Sequence, residues 1–286
     1  MDRTTLRTLE ARYTLEPELR SDIYVEGIHD QQIVQWFLGE VGIQNRKAFP
    51  IDLVDVSDEM VVASSLPTGS NRSRVLALAD VLSKKFPDAP LLFLIDRDLE
   101  DFVITRTAPF PRHVKITDFG TTDMYLFHDH AIDKIIIAGL RKVNVNNISS
   151  SLFDVLRMVY SFRVAARKLD APVRFLDLSK NVALKNNEIF FDFYAYIDRC
   201  LNASVLMGFR GDILQIISAT LDDCEAIPID KRVSANGHDL IVILKWLLDN
   251  CSDAMVCNEG VRRLLFMSLT TDVLLKNALF DQELRI

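Results

Sequence analysis

The sequence contains few of the residues that build disulfide scaffolds or zinc sites. Of its 286 residues, only four are cysteines and five are histidines. The cysteines lack the close C-x-x-C spacing typical of zinc sites, and no histidine cluster accompanies them; they are Cys200, Cys224, Cys251 and Cys257. A small disulfide-stabilised scaffold is therefore excluded, and we expect core thiols in a reducing compartment.

Long hydrophobic runs are also missing. Residues 1–20 are rich in Arg, Glu and Thr and contain no apolar core of a secretory signal. The longest apolar stretch, residues 132–140, includes Asp133 and Lys134 and falls short of the roughly 20 residues that a membrane-spanning helix needs. We expect a cytoplasmic protein with no membrane partner.

The overall composition is typical of a folded globular protein. Hydrophobic residues make up 49% of the chain and charged residues 26%. At roughly 100 to 200 residues per domain, the length allows one large domain or two smaller ones. The sequence has no Pro-, Gly- or Ser-rich linker and no internal repeat that would mark a boundary.

Charge is distributed unevenly along the chain. The net charge of −7 argues against a polyanionic partner, yet residues 134–185 carry ten basic and only three acidic side chains. This local excess predicts a surface for a nucleic-acid backbone, part of it at helical spacing, although a solvated helix face would explain it as well. The candidate nucleic-acid-binding residues are Arg141, Lys142, Arg163, Arg167 and Lys168.

The first half of the chain alternates strand-like and helix-like patterns. The predicted strands are residues 22–25, 51–56, 91–95 and 114–116, and the predicted helices are residues 31–38 and 74–86. The third strand is a continuous apolar run, which is typical of a central strand buried on both faces. Such alternation predicts an α/β fold with a mainly parallel sheet and flanking helices.

Helical periodicity dominates from about residue 123 onward. The predicted helices of this half are residues 152–168, 188–207, 212–221, 240–248 and 261–279. We therefore predict two domains, an α/β domain of residues 1–127 and a largely helical C-terminal domain of residues 128–286.

Acidic residues follow two of the predicted strands. Glu26 ends the first strand, with Asp30 one turn into the next helix, and Asp96 and Asp98 follow the buried strand. Functional groups of open parallel sheets gather at the carboxyl ends of the strands, so these carboxylates converge if the two strands are neighbours. A bound Mg²⁺ or Mn²⁺ is the simplest way to offset the electrostatic repulsion between the carboxylates of such a cluster. Acidic turn residues that cap the next helix are the alternative explanation.

These motifs together resemble the TOPRIM family, the metal-binding catalytic domain of topoisomerases, bacterial primases and overcoming-lysogenization-defect nucleases. The resemblance covers about residues 20–120 and rests on Glu26-Gly27 after the first strand and Asp96-Arg97-Asp98 after a later one. Asp118 and Asp123 are similar to the acidic segment that follows in the nuclease branch.

The resemblance implies roles for the acidic residues. Asp96 and Asp98 would hold the metal, while Glu26 would either complete the coordination or act as general acid or base, so these three form the predicted catalytic set. Asp30 and Asp123 are candidates for a second metal ion.

Within this family, the chain resembles the TOPRIM effectors of the PARIS anti-phage defence system. A further match, Asn236-Gly237-His238-Asp239-Leu240, extends the resemblance over most of the chain, whereas His29 departs from the basic or small residue that related sequences often carry. The resemblance implies a nuclease toxin that is held inactive by an AriA-like ABC-type ATPase and released when a phage trigger protein is sensed through that ATPase. It also implies host tRNA as the RNA substrate. We expect a homodimer in the active state, since two-fold dimers are the commonest soluble oligomers.

Two other functions fit parts of the pattern. Haloacid-dehalogenase-like phosphatases also place Asp-x-Asp after an apolar strand, with the first Asp as a covalent nucleophile. Here Asp98 is followed by Leu99-Glu100 instead of Thr and an apolar residue, and a phosphatase gives Glu26 no role. A non-catalytic partner-binding module, in which the helical half docks on a partner, is the other alternative.

Overall fold

The computed structural model describes residues 3–103, 110–128, 131–132, 134–135, 145–186, 188–226, 230–251 and 256–285. The chain divides into two compact units. The first unit comprises Met1–Arg97, Arg106–Asp118 and Thr270–Ile286, and the second comprises Asp98–Thr105 and Phe119–Leu269. This division differs from the single predicted boundary at residue 127, because the end of the chain belongs to the first unit and the segment after Arg97 belongs to the second.

A four-stranded parallel sheet forms the centre of the first unit. The strands of this unit are β1 (Thr4–Thr5), β2 (Ile23–Val25), β3 (Ala48–Pro50), β4 (Val54–Asp55), β5 (Leu92–Ile95) and β6 (Val114–Ile116). The sheet has the order β3-β2-β5-β6, and each neighbouring pair is parallel, whereas β1 and β4 form a separate parallel pair. The predicted α/β fold with a parallel sheet is confirmed.

Helices flank this sheet. They are α1 (Leu6–Leu15), α2 (Ile28–Glu40), α3 (Asp58–Ala63) and α4 (Asn71–Lys85). All four residues of β5 are buried, as the apolar run predicts, and α2 and α4 each bury an apolar face. The predicted strand at residues 51–56 is wrong in its first half, because Ile51–Leu53 forms a 3-10 turn between β3 and β4. Pro50, which fixes its own φ and lacks an N–H donor, ends β3 just before that turn.

The C-terminal residues are tied to the first unit by a buried arginine. The Arg46 side chain donates hydrogen bonds to the carbonyl oxygens of Glu283 (3.4 Å) and Leu284 (3.3 Å). It also donates to the carbonyl oxygens of Ser21 and Pro90, at 3.2 Å each. One guanidinium therefore links the backbone just before β2 and just before β5 to the backbone of residues 283–284.

Helices dominate the second unit. They are α5 (Glu100–Val103), α6 (Val145–Lys168), α7 (Phe193–Ser204), α8 (Arg210–Ala226), α9 (Gly237–Cys251) and α10 (Asn258–Ser268). The short helix α11 (Thr271–Leu274) already belongs to the first unit. The predicted helix over residues 261–279 is therefore too long, because it ends at Ser268 and Thr270 becomes the N-cap of α11.

The first residues of one predicted helix form a strand instead. β8 (Glu188–Phe191) pairs with β7 (Val182–Lys185) in an antiparallel ladder, so the predicted helix over residues 188–207 is wrong at its start. Isoleucine and phenylalanine favour the strand conformation here. Helix α7 begins after Asp192, whose side chain accepts a hydrogen bond from the Ala195 N–H at 3.2 Å.

No helix within the described ranges combines the length and the apolar character needed to cross a membrane.

Candidate active site

The ends of two neighbouring strands bring Glu26 and Asp96 together in the first unit. β2 and β5 are parallel, with Ile23 opposite Leu92 and Tyr24 opposite Phe93. The acidic residues follow the last residues of these strands, and the Asp96 N–H donates a hydrogen bond to Glu26 Oε1 at 2.9 Å. Both residues are half-buried. Two residues that lie 70 positions apart in sequence therefore share one edge of the sheet.

The first two residues of α4 hold the backbone of both acidic residues. Asn71 Nδ2 donates to the Glu26 carbonyl oxygen at 2.9 Å, and the Arg72 guanidinium donates to the Asp96 carbonyl oxygen. The helix begins at a fixed point because Ser70 Oγ accepts from the Ser73 N–H at 3.1 Å. The backbone positions of Glu26 and Asp96 are thus set by one helix terminus.

Asp30 caps the helix that follows Glu26. Its Oδ2 accepts a hydrogen bond from the Gly27 N–H at 2.8 Å, in the first turn of α2. A carboxylate at this position satisfies one backbone donor and interacts favourably with the positive end of the helix dipole. Asp30 therefore caps its own helix, which is the alternative explanation for acidic residues after a strand.

The residue between the two aspartates is fixed at the end of β6. The Arg97 N–H donates to Thr117 Oγ1 at 2.9 Å, and Arg97 Nε donates to the Thr117 carbonyl oxygen at 3.0 Å. Thr117 is fully buried. The chain leaving β5 is held on the side of β6 as well as on the side of β2.

Asp98 belongs to the second unit. Its N–H donates to the Gly120 carbonyl oxygen at 2.8 Å, and its own carbonyl oxygen accepts from the Tyr160 hydroxyl at 2.9 Å. Its φ of +49° lies in the left-handed region, which Asp and Asn adopt more readily than other residues with a Cβ. The side chain is exposed.

Asp123 also lies in the second unit, where an arginine compensates its charge. Its carboxylate is 6% exposed, and Arg262 Nη2 lies 3.1 Å from Oδ2. Gly237 packs against it so closely that a Cβ on this glycine would lie 2.3 Å from Asp123 Cβ. The Gly237 N–H also donates to Thr121 Oγ1 at 3.0 Å. The glycine of the Asn236–Leu240 motif is therefore required for close packing on the segment that carries Asp123.

The remaining motif residues also make structural contacts. The Asn236 side chain accepts from the His238 N–H at 2.9 Å, at the start of α9. Asp239 forms a two-pronged ion pair with Arg163, with distances of 2.8 and 3.1 Å. Arg163, one of the candidate nucleic-acid-binding residues, is therefore engaged by a carboxylate.

The other basic candidates have different positions. Arg167 and Lys168 are exposed in the last turn of α6. Arg141 and Lys142 lie outside the described residues.

The donor set of the first unit is small. Among the described residues, no three His, Cys, Asp or Glu side chains come together as a metal-binding group. Mg²⁺ in phosphate-processing sites is usually held by one or two carboxylates, with water and substrate phosphate completing its coordination. Glu26 and Asp96 fit that smaller donor set, because both are hard oxygen donors at the same sheet edge.

Two residues of this site were not found by sequence reasoning. Asn71 and Arg72 act on backbone carbonyl oxygens that lie 45 and 24 positions away, a relation that leaves no spacing pattern. The only sequence signal was that they follow a Pro-Thr-Gly-Ser turn, which marks the start of a helix.

Neither a scan against protein-family models nor a search of curated proteins finds a match for this chain.

Proposed function

We propose that this chain is a magnesium-dependent nuclease of the TOPRIM type that cleaves RNA. The observation that carries the proposal is the hydrogen bond between the Asp96 N–H and Glu26 Oε1, at the carboxyl ends of two parallel neighbouring strands. The TOPRIM pattern requires its Glu and its Asp-x-Asp to meet at this edge. A haloacid-dehalogenase-like phosphatase requires only the aspartates, so the pairing with Glu26 favours the nuclease.

The acidic residues would share the chemistry. Glu26 and Asp96 would hold Mg²⁺ (or Mn²⁺), whereas a role for Asp98 as a further ligand rests on the sequence resemblance alone. When bound, the ion neutralises charge on the phosphodiester and makes a water molecule a better nucleophile. Glu26 is oriented by the Asp96 N–H, which suits either a ligand or a general acid or base. Asp30 and Asp123 are weaker candidates for a second ion, since one caps α2 and the other pairs with Arg262.

The biological setting follows from the sequence resemblance. We propose a cytoplasmic effector similar to AriB of the PARIS system, which is restrained by an AriA-like ABC-type ATPase and released when a phage trigger protein is sensed. Cleavage of host tRNA would then stop translation and phage production. A homodimer in the active state is part of the same proposal.

Cleavage of total cellular RNA tests this function. The wild type is expected to give discrete fragments with Mg²⁺ and none with EDTA, on a denaturing gel. Glu26→Gln and Asp96→Asn should each abolish the fragments, whereas Glu18→Gln, an exposed glutamate of the same unit, should leave them unchanged. Circular dichroism checks that each variant is folded.

Two results would contradict the proposal. One is full RNA cleavage by Glu26→Gln, because the proposal places the Glu26 carboxylate in the catalytic site. The other is no cleavage by the wild type even when the ATPase and the trigger protein are both supplied.

A further inference from the structure

A cavity of about 500 Å³ lies entirely within the second unit. It is bordered by α6, α9, the start of α10 and the segment of residues 175–179. Its volume falls in the range of sites that bind small molecules or single nucleotides. Two aromatic side chains, Phe175 and Trp246, and two ion pairs contribute to its wall.

One of these ion pairs holds an arginine over an aromatic ring. Arg163 donates from Nε and Nη2 to the Asp239 carboxylate, and its guanidinium carbon lies 4.5 Å from the centroid of the Phe175 ring. A guanidinium has five N–H donors, and Arg163 makes no further hydrogen bond to a described residue. Its side chain remains 27% exposed. Arg163 is therefore oriented in advance, with donors left for a ligand.

The wall that carries Phe175 is also fixed. The Leu176 N–H donates to Cys200 Sγ at 3.4 Å, and the Leu176 carbonyl oxygen accepts from the Tyr196 hydroxyl at 3.0 Å. Phe175 packs against Phe162 with ring centroids 5.1 Å apart. A ligand that enters the cavity would not have to order this segment, which lowers the entropic cost of binding.

The lining restricts the chemistry of the ligand. Two cations, Arg163 and Lys245, face three carboxylates, so the cavity has a negative balance that disfavours a free anion; the carboxylates are Asp177, Asp239 and Asp249. An aliphatic ligand would remove water from these charged groups and offer them no hydrogen bond in return. A neutral, planar ring that carries both donors and acceptors satisfies the polar groups and stacks on the aromatic side chains. Nucleobases have these properties.

Exposed cations flank the cavity along the chain. Arg174 and Lys180 immediately precede and follow the wall segment of residues 175–179, and Arg167 follows Arg163 by one helical turn, with Lys168 next to it. All four are exposed. Basic side chains at these positions suit contacts with phosphates on either side of a bound base. They account for part of the basic excess of residues 134–185.

We propose that this cavity holds one unstacked base of single-stranded RNA, while Arg167, Lys168, Arg174 and Lys180 contact the adjoining phosphates. The RNA ligand rests on the proposed nuclease function, but base binding requires neither the metal nor cleavage.

Tryptophan fluorescence offers a direct test. The chain has two tryptophans, so the Trp36→Phe variant reports on Trp246 alone. Titration of this variant with a short single-stranded oligoribonucleotide in EDTA is expected to change the Trp246 fluorescence in a saturable way. Trp246→Leu should bind the end-labelled oligonucleotide about tenfold more weakly, in line with the loss of one base–aromatic stack.

Charge variants separate the phosphate contacts from the base contact. The double variant Arg174→Ala and Lys180→Ala should weaken binding and reduce its salt dependence. Arg263→Ala, which removes a 77%-exposed cation of α10 in the same unit, is the matched control and should bind like the wild type. Circular dichroism confirms the fold of each variant.

The proposal is overturned if the oligonucleotide does not bind, if it binds without changing Trp246 fluorescence, or if Trp246→Leu binds with wild-type affinity. The cleavage assay keeps the two proposals apart. If the wild type cleaves RNA and Trp246→Leu binds RNA normally, only the proposed base site is wrong. If the wild type binds the base but cleaves no RNA, only the proposed nuclease function is wrong.

Discussion

Replacing Arg46 with methionine should destabilise the first unit by removing the side chain that holds the end of the chain. Arg46 is 5% exposed and, among its contacts with described residues, donates to the backbone carbonyl oxygens of Ser21, Pro90, Glu283 and Leu284 at 3.2 to 3.4 Å. Methionine fills most of the aliphatic volume, so the main change is the loss of the guanidinium donors. The carbonyl oxygens of Glu283 and Leu284 would then lose their links to the sheet.

The size of the effect follows from these contacts. A hydrogen bond from a charged donor contributes about 1.5 to 3 kcal/mol, and the long distances here favour the lower end of that range. Burial of the guanidinium opposes this gain, and it also lowers the pKa of Arg46. We therefore expect Arg46→Met to lose about 3 kcal/mol of unfolding free energy, not the sum of four full bonds.

Urea denaturation, followed by circular dichroism, measures this loss. Arg285→Met is the matched control, because Arg285 is 52% exposed and its loss should change stability by less than about 0.5 kcal/mol. Arg46→Lys should give an intermediate loss, since an ammonium cannot reach as many carbonyl oxygens as a guanidinium does. An Arg46→Met variant within about 0.5 kcal/mol of the wild type would refute this reasoning.

Substitutions at three further positions test other features of the fold and the site. Burial raises the pKa of Asp22 despite a hydrogen bond from Tyr13 and an ion pair with Arg12 at 3.7 Å, so ionisation of this carboxyl lowers stability as pH rises from its unfolded-state pKa to the raised one. Asp22→Asn should lack this loss of stability over the same pH range, measured by urea midpoints. Asp98→Asn should keep stability within about 0.5 kcal/mol but lose RNA cleavage, whereas Asp98→Val should also cost about 1 to 2 kcal/mol because of its positive φ. Asn71→Ala should lower the cleavage rate about tenfold with little change in KM, since it frees the backbone of Glu26; an unchanged rate would contradict that role.

The pairing of Glu26 with Asp96 could be anticipated from the sequence. A continuous apolar run in the sequence predicts a buried strand such as β5, and neighbouring parallel strands have their carboxyl ends at the same edge of a sheet. The acidic residues that follow such strands must therefore lie near one another once the strands are neighbours. Hydrophobic patterning and chain direction carry this information, and both are visible in the sequence.

Other contacts could not be anticipated, because they involve groups that every residue carries. Arg46 and Asn71 bind backbone carbonyl oxygens, and the identity of the partner residue leaves no trace in the sequence.

The helix predicted over residues 188–207 was wrong at its start because apolar residues at 189–191 fit both periodicities, and pairing with β7 decides the outcome. The charge of Asp123 is compensated by Arg262, 139 positions away, which no local pattern shows.

Metal binding tests the central claim most directly, because it needs no substrate, ATPase or trigger protein. Titration of the purified protein with Mn²⁺, followed by electron paramagnetic resonance, is expected to show binding by the wild type and by the matched control Glu18→Gln. Glu26→Gln and Asp96→Asn should each weaken that binding at least about tenfold, since each removes one of the few carboxylates of the site. Wild-type affinity in both site variants, or no binding by the wild type, would contradict the account.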